Sequence, residues 1–169
     1  MTPLNRFFFV LGWIVLSSLA GRAVEVVSAV SPRERLRLDT DWRFALGHAS
    51  DADRDFGHAK SYFSYLAKTG FGDGPAGTHF DDRAWRTVQI PHDWAVELPF
   101  APNASASHGS KAVGRAFPEN SLGWYRKSFF IPKSDLGRRI TMEFDGVYRD
   151  SVVWVNGFYL GRQPSGYTG

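Results

Sequence analysis

Ser151-Val152-Val153-Trp154-Val155-Asn156-Gly157-Phe158-Tyr159-Leu160-Gly161 is the stretch on which the fold turns. Two runs rich in β-branched and aromatic residues flank Asn-Gly. Both residues of that pair tolerate positive φ, as the two-residue turn of a tight hairpin requires. The spacing predicts antiparallel strands at 151–155 and 158–161. Val152 to Val155 are apolar in succession rather than alternately, which predicts a strand covered on both faces, as in the middle of a sandwich.

Upstream, Ile140, Met142 and Phe144 alternate with Thr141, Glu143 and Asp145, the pattern of a strand over 139–144 with one wet face. Gly123 to Ile131 reads as another strand. Leu98 to Pro118 is rich in Pro, Ala, Ser and Gly and reads as a long surface loop, the best candidate for a ligand-facing edge. Arg86 to Ile90 is a strand that Pro91 stops. From Arg35 to Leu46 apolar and polar residues alternate, with Leu36, Leu38, Trp42, Phe44 and Leu46 on one parity. Between the first two strands, 47–78 reads as a loop insertion. It carries one helical piece, with Ala59, Tyr62, Phe63 and Leu66 on one face, ended by Gly70 and followed by a Gly72-Gly74-Pro75-Gly77 connector.

Five or six short strands with no regular helix between them predict an all-β sandwich rather than an α/β fold. A sandwich needs about seven to nine strands, so the last hairpin would present an open edge. The expected fold is therefore incomplete at its C-terminus, and the chain reads as a fragment of a longer protein.

Composition narrows the function classes. Hydrophobic residues make up 43% and aromatic residues 15% of the 169, with 6 Trp and 14 Phe, which excludes disorder and favours an aromatic β core. The net charge of +3 includes Arg6 and Arg22 in the amino-terminal segment, and the remaining charges alternate in sign without a basic run. That is not the footprint of phosphate binding, so no nucleic-acid partner is expected. The absence of cysteine removes disulfides, thiolate metal sites and cysteine nucleophiles. Met1 to Arg6 is a basic start and Phe7 to Ala20 an apolar run ending in small residues, the grammar of a signal peptide cleaved after Ala20 or Ala23. About 14 apolar residues fall short of the roughly 20 that span a bilayer, so no stable membrane span is expected. The expected layout is a signal peptide at 1–23, a linker at 24–35 and one domain at 36–169, exported to the periplasm or the exterior.

Three segments carry a family resemblance: Phe80-Asp81-Asp82-Arg83-Ala84-Trp85-Arg86-Thr87-Val88-Gln89-Ile90-Pro91-His92-Asp93-Trp94, then Gly123-Trp124-Tyr125-Arg126-Lys127-Ser128-Phe129, then Phe144-Asp145-Gly146-Val147-Tyr148-Arg149-Asp150-Ser151-Val152-Val153-Trp154-Val155-Asn156-Gly157. In this order and spacing they resemble the sugar-binding domain of family 2 glycoside hydrolases, β-galactosidases above all. The resemblance covers 36–169 and implies a jelly-roll-type, galactose-binding-domain-like sandwich. It further implies a downstream immunoglobulin-like domain and a (β/α)₈ barrel, where two glutamates perform retaining hydrolysis of a glycan or oligosaccharide. No position of this chain matches the barrel motifs, so no catalytic residue is assigned, and no cofactor or metal is evident. β-Galactosidase, β-glucuronidase and β-mannosidase members share the architecture; local likeness favours the first.

The candidate carbohydrate-binding residues are Asp93, Trp94 and Asn103. A Trp beside a carboxylate offers a surface for sugar C–H faces and an acceptor for hydroxyls, and Asn103 lies in the long loop. The plain alternative is that Trp94 caps the core, Asp93 bonds nearby backbone and Asn103 is a turn residue. His92 with Asp93 lacks the further partners of a triad or a metal site. His48, His58, His79 and His108 read as solvated loop residues, and Asp81-Asp82 as turn caps. Rival readings are a stand-alone lectin-like module, which would bind sugar by itself, and a scaffold domain that touches none.

Overall fold

Trp42, Phe44 and Leu46 alternate toward one face of β1 (Trp42–Leu46), and Phe44 at its middle is buried. The computed structural model describes residues 33–60 and 72–167. The expected signal peptide, most of the linker, and Tyr62, Phe63, Leu66 and Gly70 of the expected helix lie outside the described residues. β1 is the centre of an antiparallel sheet, with β2 (Arg86–Val88) on one side and β3 (Gly123–Arg126) on the other. Phe44 stands opposite Arg86 and Tyr125, and Leu46 opposite Gly123. β4 (Ser151–Val155) and β5 (Phe158–Gln163) form the hairpin, turned by Asn156 and Gly157 at φ 51° and 83°. Between Val153 and Trp154 the register shifts, so Val153 faces Gly161 while Trp154 faces Tyr159. Apart from these strands the described elements are short 3₁₀ turns. The fold is all-β and antiparallel, with Phe44, Trp85, Val88 and Trp124 as its buried core.

Several strands are shorter than their sequence patterns. Asp41, at φ 56°, breaks the extended run that starts at Arg35, and Leu36 is left exposed. β2 stops at Val88, ahead of the cis Ile90–Pro91 bond. No strand forms over 139–144, although the alternation there is clean; Ile140, Met142 and Phe144 are 38–50% exposed. An alternating face makes a strand only when a neighbouring strand takes its backbone groups and a second layer takes its side chains. Among the described residues neither is supplied. The same lack corrects the expectation for β4, all five of whose residues are only half-buried.

The 47–78 insertion does more than connect strands. Asp51 accepts from the backbone N–H groups of Asp53 and Arg54, starting a tight series of turns. These turns drive Asp55 inward, to 5% exposure, where its Oδ1 accepts from the Trp124 indole at 2.7 Å and the His48 N–H at 3.2 Å. Gly47 is required beside it, since a Cβ there would lie 2.0 Å from Asp55 Oδ1. Phe56 packs on Phe80 and Trp85. His58 sets its ring edge-on against Trp124 of β3, at 4.9 Å, and Trp154 of β4, at 5.5 Å, thereby tying the two sheets together. His48 and His58 are thus packed groups rather than solvated ones, a correction that follows from the turn bringing them over the Trp pair. Ala59, at φ 60°, lies in a turn and does not begin a helix. Arg126 closes the other end of the insertion, donating to Asp82 and to the carbonyls of Pro75 and Gly77.

Candidate functional site

After β2, Pro91 cannot pair, and the chain leaves the sheet through His92-Asp93-Trp94. Asp93 caps the 3₁₀ turn Trp94–Glu97, its Oδ1 accepting from the Ala95 N–H at 2.9 Å. This turn lays the half-buried Trp94 against the β1–β3 edge. Its indole donates to the Asn120 carbonyl at 3.0 Å and its ring centroid is 6.0 Å from that of Phe44. Gly123 makes the approach possible, because a Cβ there would stand 3.0 Å from Trp94 and 3.1 Å from Phe44.

His92 packs on the same Phe44 and Tyr125 rings as Trp94 and enters a polar network. Its Nδ1 lies 2.7 Å from the Tyr125 hydroxyl, and its Nε2 lies 3.2 Å from both Glu97 Oε1 and Arg86 Nη2. Arg86 Nη2 donates to Glu97 Oε2 at 2.7 Å. The Arg86 hydrogen bond, with a smaller one from His92, holds the Glu97 carboxyl below its ordinary value. Burial pushes the Tyr125 phenol up, and the charges of Asp93 and Glu97 add to this against the opposing charge of Arg86. Above this network Phe44, Ala45, Leu46, Arg86, Trp94, Glu97 and Leu98 line an open depression of about 360 Å³.

The structure places Asp93 and Trp94 on one turn, with Trp94 in the wall of the depression. Asn103 is exposed in the turn Ala101–Ala104 and is not among the lining residues. Its loop is tied to the Trp94 turn by Lys111, whose ammonium donates to the Val96 and Leu98 carbonyls. Asp81 bonds the Arg83 guanidinium and backbone, while Asp82 pairs with Arg126. Arg86, Glu97 and Tyr125 escaped the sequence reading. They sit on three separate elements, and no local spacing marks them as neighbours. Among the described residues no cluster of three or more His, Asp or Glu could hold a metal ion, and no helix is long and apolar enough to cross a membrane.

The described residues thus form an antiparallel all-β body whose edge carries aromatic rings beside paired charges. Residues 36–169 match the family described as "Glycosyl hydrolases family 2, sugar binding domain", and the chain belongs to that family. It is 39% identical over 140 residues to a β-galactosidase of Bacteroides ovatus, covering 83% of this chain and 13% of that protein. A β-glucuronidase of Formosa agariphila is 32% identical over 89 residues, covering 53% of this chain and 9% of the other. The solved structure of a glycosyl hydrolase family 2 member from Bacteroides cellulosilyticus superposes with a TM-score of 0.55 at 26% identity, over 76% of this chain and 14% of the other. The chain thus spans about one seventh or less of the length of these relatives.

Proposed function

We propose that this chain is the amino-terminal sugar-binding domain of an exported glycosidase of the β-galactosidase type, which removes sugars from oligosaccharides or glycans by retaining hydrolysis. The observation that carries the reading is the family match across 36–169, joined to 39% identity with a β-galactosidase. The catalytic glutamates would lie in a barrel downstream, beyond an immunoglobulin-like domain. The exposed apolar residues Phe130, Ile131, Leu136 and Ile140 suit contact with such neighbours. Asp93, Trp94 and Asn103 would rim the substrate site. The basic start and apolar run of residues 1–23 support export.

The parent polypeptide, assayed on nitrophenyl β-galactoside, β-glucuronide and β-mannoside, should turn over the galactoside fastest; no turnover of any of the three refutes the reading. In that polypeptide Asn103→Ala and Asp93→Ala should raise KM more than they lower kcat, as loss of a substrate contact does. A scaffold reading is favoured by the hydrogen bonds of Asp93 and Trp94 to backbone groups of this domain, and it predicts an unchanged KM in both variants.

A further inference from the structure

We propose that Asn156-Gly157, the turn of the β4–β5 hairpin, is a latent deamidation site that the folded hairpin holds back, and that its conversion to isoaspartate releases Trp154 from Trp124. The reaction takes only water as co-reactant, and it is independent of which glycoside the parent polypeptide hydrolyses.

The sequence supplies the chemistry. In deamidation the backbone nitrogen of the following residue gives up its proton to base and attacks the asparagine Cγ. An N–Cγ bond forms, the Cγ–Nδ2 bond breaks and ammonia leaves, which closes a five-membered succinimide. Water then adds to one of the two ring carbonyls. Opening at one restores the ordinary main chain as aspartate, and opening at the other routes the main chain through the side chain as isoaspartate. Nothing is oxidised or reduced. A Cβ on the following residue crowds the attacking nitrogen, so glycine leaves it most open. The chain has four asparagines, Asn5, Asn103, Asn120 and Asn156, followed by Arg, Ala, Ser and Gly in turn. Asn156 alone has the reactive neighbour. Asn120 is further restrained, its Nδ2 donating to the Ala112 carbonyl at 3.1 Å.

The fold opposes the attack. Asn156 and Gly157 sit at φ 51° and 83°, the left-handed pair of a two-residue hairpin turn. Left-handed ψ is about +47°. Ring closure instead needs the Asn ψ turned to strongly negative values, so that the Gly157 nitrogen swings toward Cγ. Asn156 is exposed to water and base, but Gly157 is buried. Its carbonyl lies over Gly72, where a Cβ would stand only 3.1 Å away. The turn is also held from both sides. Val155 and Phe158 pair directly across it, and Trp154, next along, packs on Trp124 and His58 at 5.5 Å each. Reaction therefore waits for the hairpin to open, and its rate follows the open fraction.

Conversion then acts back on the hairpin. Isoaspartate adds one atom to the main chain between β4 and β5. A two-residue turn fixes the register of its strands, so the longer link disrupts the pairing of Val155 with Phe158 and of Trp154 with Tyr159. Trp154 is one of the two rings through which His58 ties the sheets together. Aspartate at the same position lengthens nothing, and Asp-Gly is itself a favoured pair for this turn. The two products therefore part: one leaves the hairpin closed and the other opens it.

The test incubates the full chain in mildly alkaline buffer, folded and in guanidinium chloride, with conversion at each asparagine followed by peptide mass mapping and isoaspartate detected by enzymatic methylation. The mass gain of deamidation separates Asn156 from isomerisation at Asp73-Gly74 and Asp145-Gly146, which changes no mass. In the unfolded chain Asn156 should convert faster than Asn103 and Asn120. Folding should slow it by about tenfold or more, as for a hairpin open one part in ten or less. Residues 151–163 should lose their protection from hydrogen exchange in the purified isoaspartate form and keep it in an Asn156→Asp chain, which separates the inserted atom from the added charge. The proposal is overturned if Asn156 converts equally fast folded and unfolded, or if Asn103 outpaces it in the unfolded chain. It is equally overturned if the isoaspartate form keeps the protection of 151–163, or if Asn156→Asp loses it too.

Discussion

Replacing Asp55 with Ala should cost about 4 kcal/mol. One carboxylate oxygen of Asp55, a residue 5% exposed, takes both the Trp124 indole N–H at 2.7 Å and the His48 backbone N–H at 3.2 Å. Each buried donor stranded by Asp55→Ala costs ~1–3 kcal/mol, and together they remove a large share of the 5–15 kcal/mol typical of a whole domain. Asp55→Asn keeps an oxygen acceptor in place and should lose only about 1 kcal/mol. Gly47 supplies an internal control. Its missing Cβ would stand 2.0 Å from that same oxygen, 2.8 Å from Leu122 and 2.9 Å from Trp124, so Gly47→Ala must displace the carboxylate as well as crowd the indole. The two substitutions should not add: on the Asp55→Ala background Gly47→Ala should cost about 1–2 kcal/mol less than in the unaltered chain. Urea unfolding followed by tryptophan fluorescence measures all four corners of this cycle. An Asp55→Ala chain within ~0.5 kcal/mol of the parent, or strict additivity with Gly47→Ala, would refute the claim that the insertion is bolted down at this oxygen.

Trp154→Ala should cost about 2 kcal/mol rather than the ~3–5 of a fully enclosed tryptophan, because Trp154 is half-buried and packs on Trp124, His58 and Tyr159; thermal unfolding checks the difference. Gly123→Ala should destabilise by about 1–3 kcal/mol and shift the Trp94 indole resonance, since its Cβ would press on two rigid rings. In acid the urea midpoint should fall. The Arg83 hydrogen bonds lower Asp81 from 3.8 to about 2, and Arg86 and Arg162 lower Glu97 and Asp150. Carboxyls depressed on folding stabilise above their unfolded values and lose that contribution as pH drops through the folded ones. The decline should therefore begin near 4.5, the ordinary value for Glu97, and for Asp81 run from 3.8 to about 2. All three groups are exposed, so high salt should flatten it; a midpoint independent of pH across that window would refute these pairings.

The lining of the depression was only partly legible in the chain. Trp94 stood out as an aromatic beside a carboxylate just past a strand-ending proline, and it does line the depression. Arg86 and Glu97 carry no local spacing that marks them as neighbours. They become a pair only because Pro91 turns the chain out of the sheet and the 3₁₀ turn brings Glu97 back over β2. Asn103, picked for its place in the long loop, lies outside the lining.

What the amino-acid order settles by itself is local. Asn156-Gly157 makes the hairpin because both residues accept positive φ, and the alternation around Phe44 marks a half-buried strand. The same alternation at 139–144 makes no strand among the described residues, because pairing and burial are supplied by neighbours and not by the pattern itself. Tertiary structure alone decided that Asp55 and His58 of an apparent loop would clasp Trp124 and Trp154, and that His92 would stand between Arg86, Glu97 and Tyr125. Those contacts join residues up to 96 positions apart. Their energies come from burial and hydrogen-bond geometry, which exist only once the chain has brought the groups together.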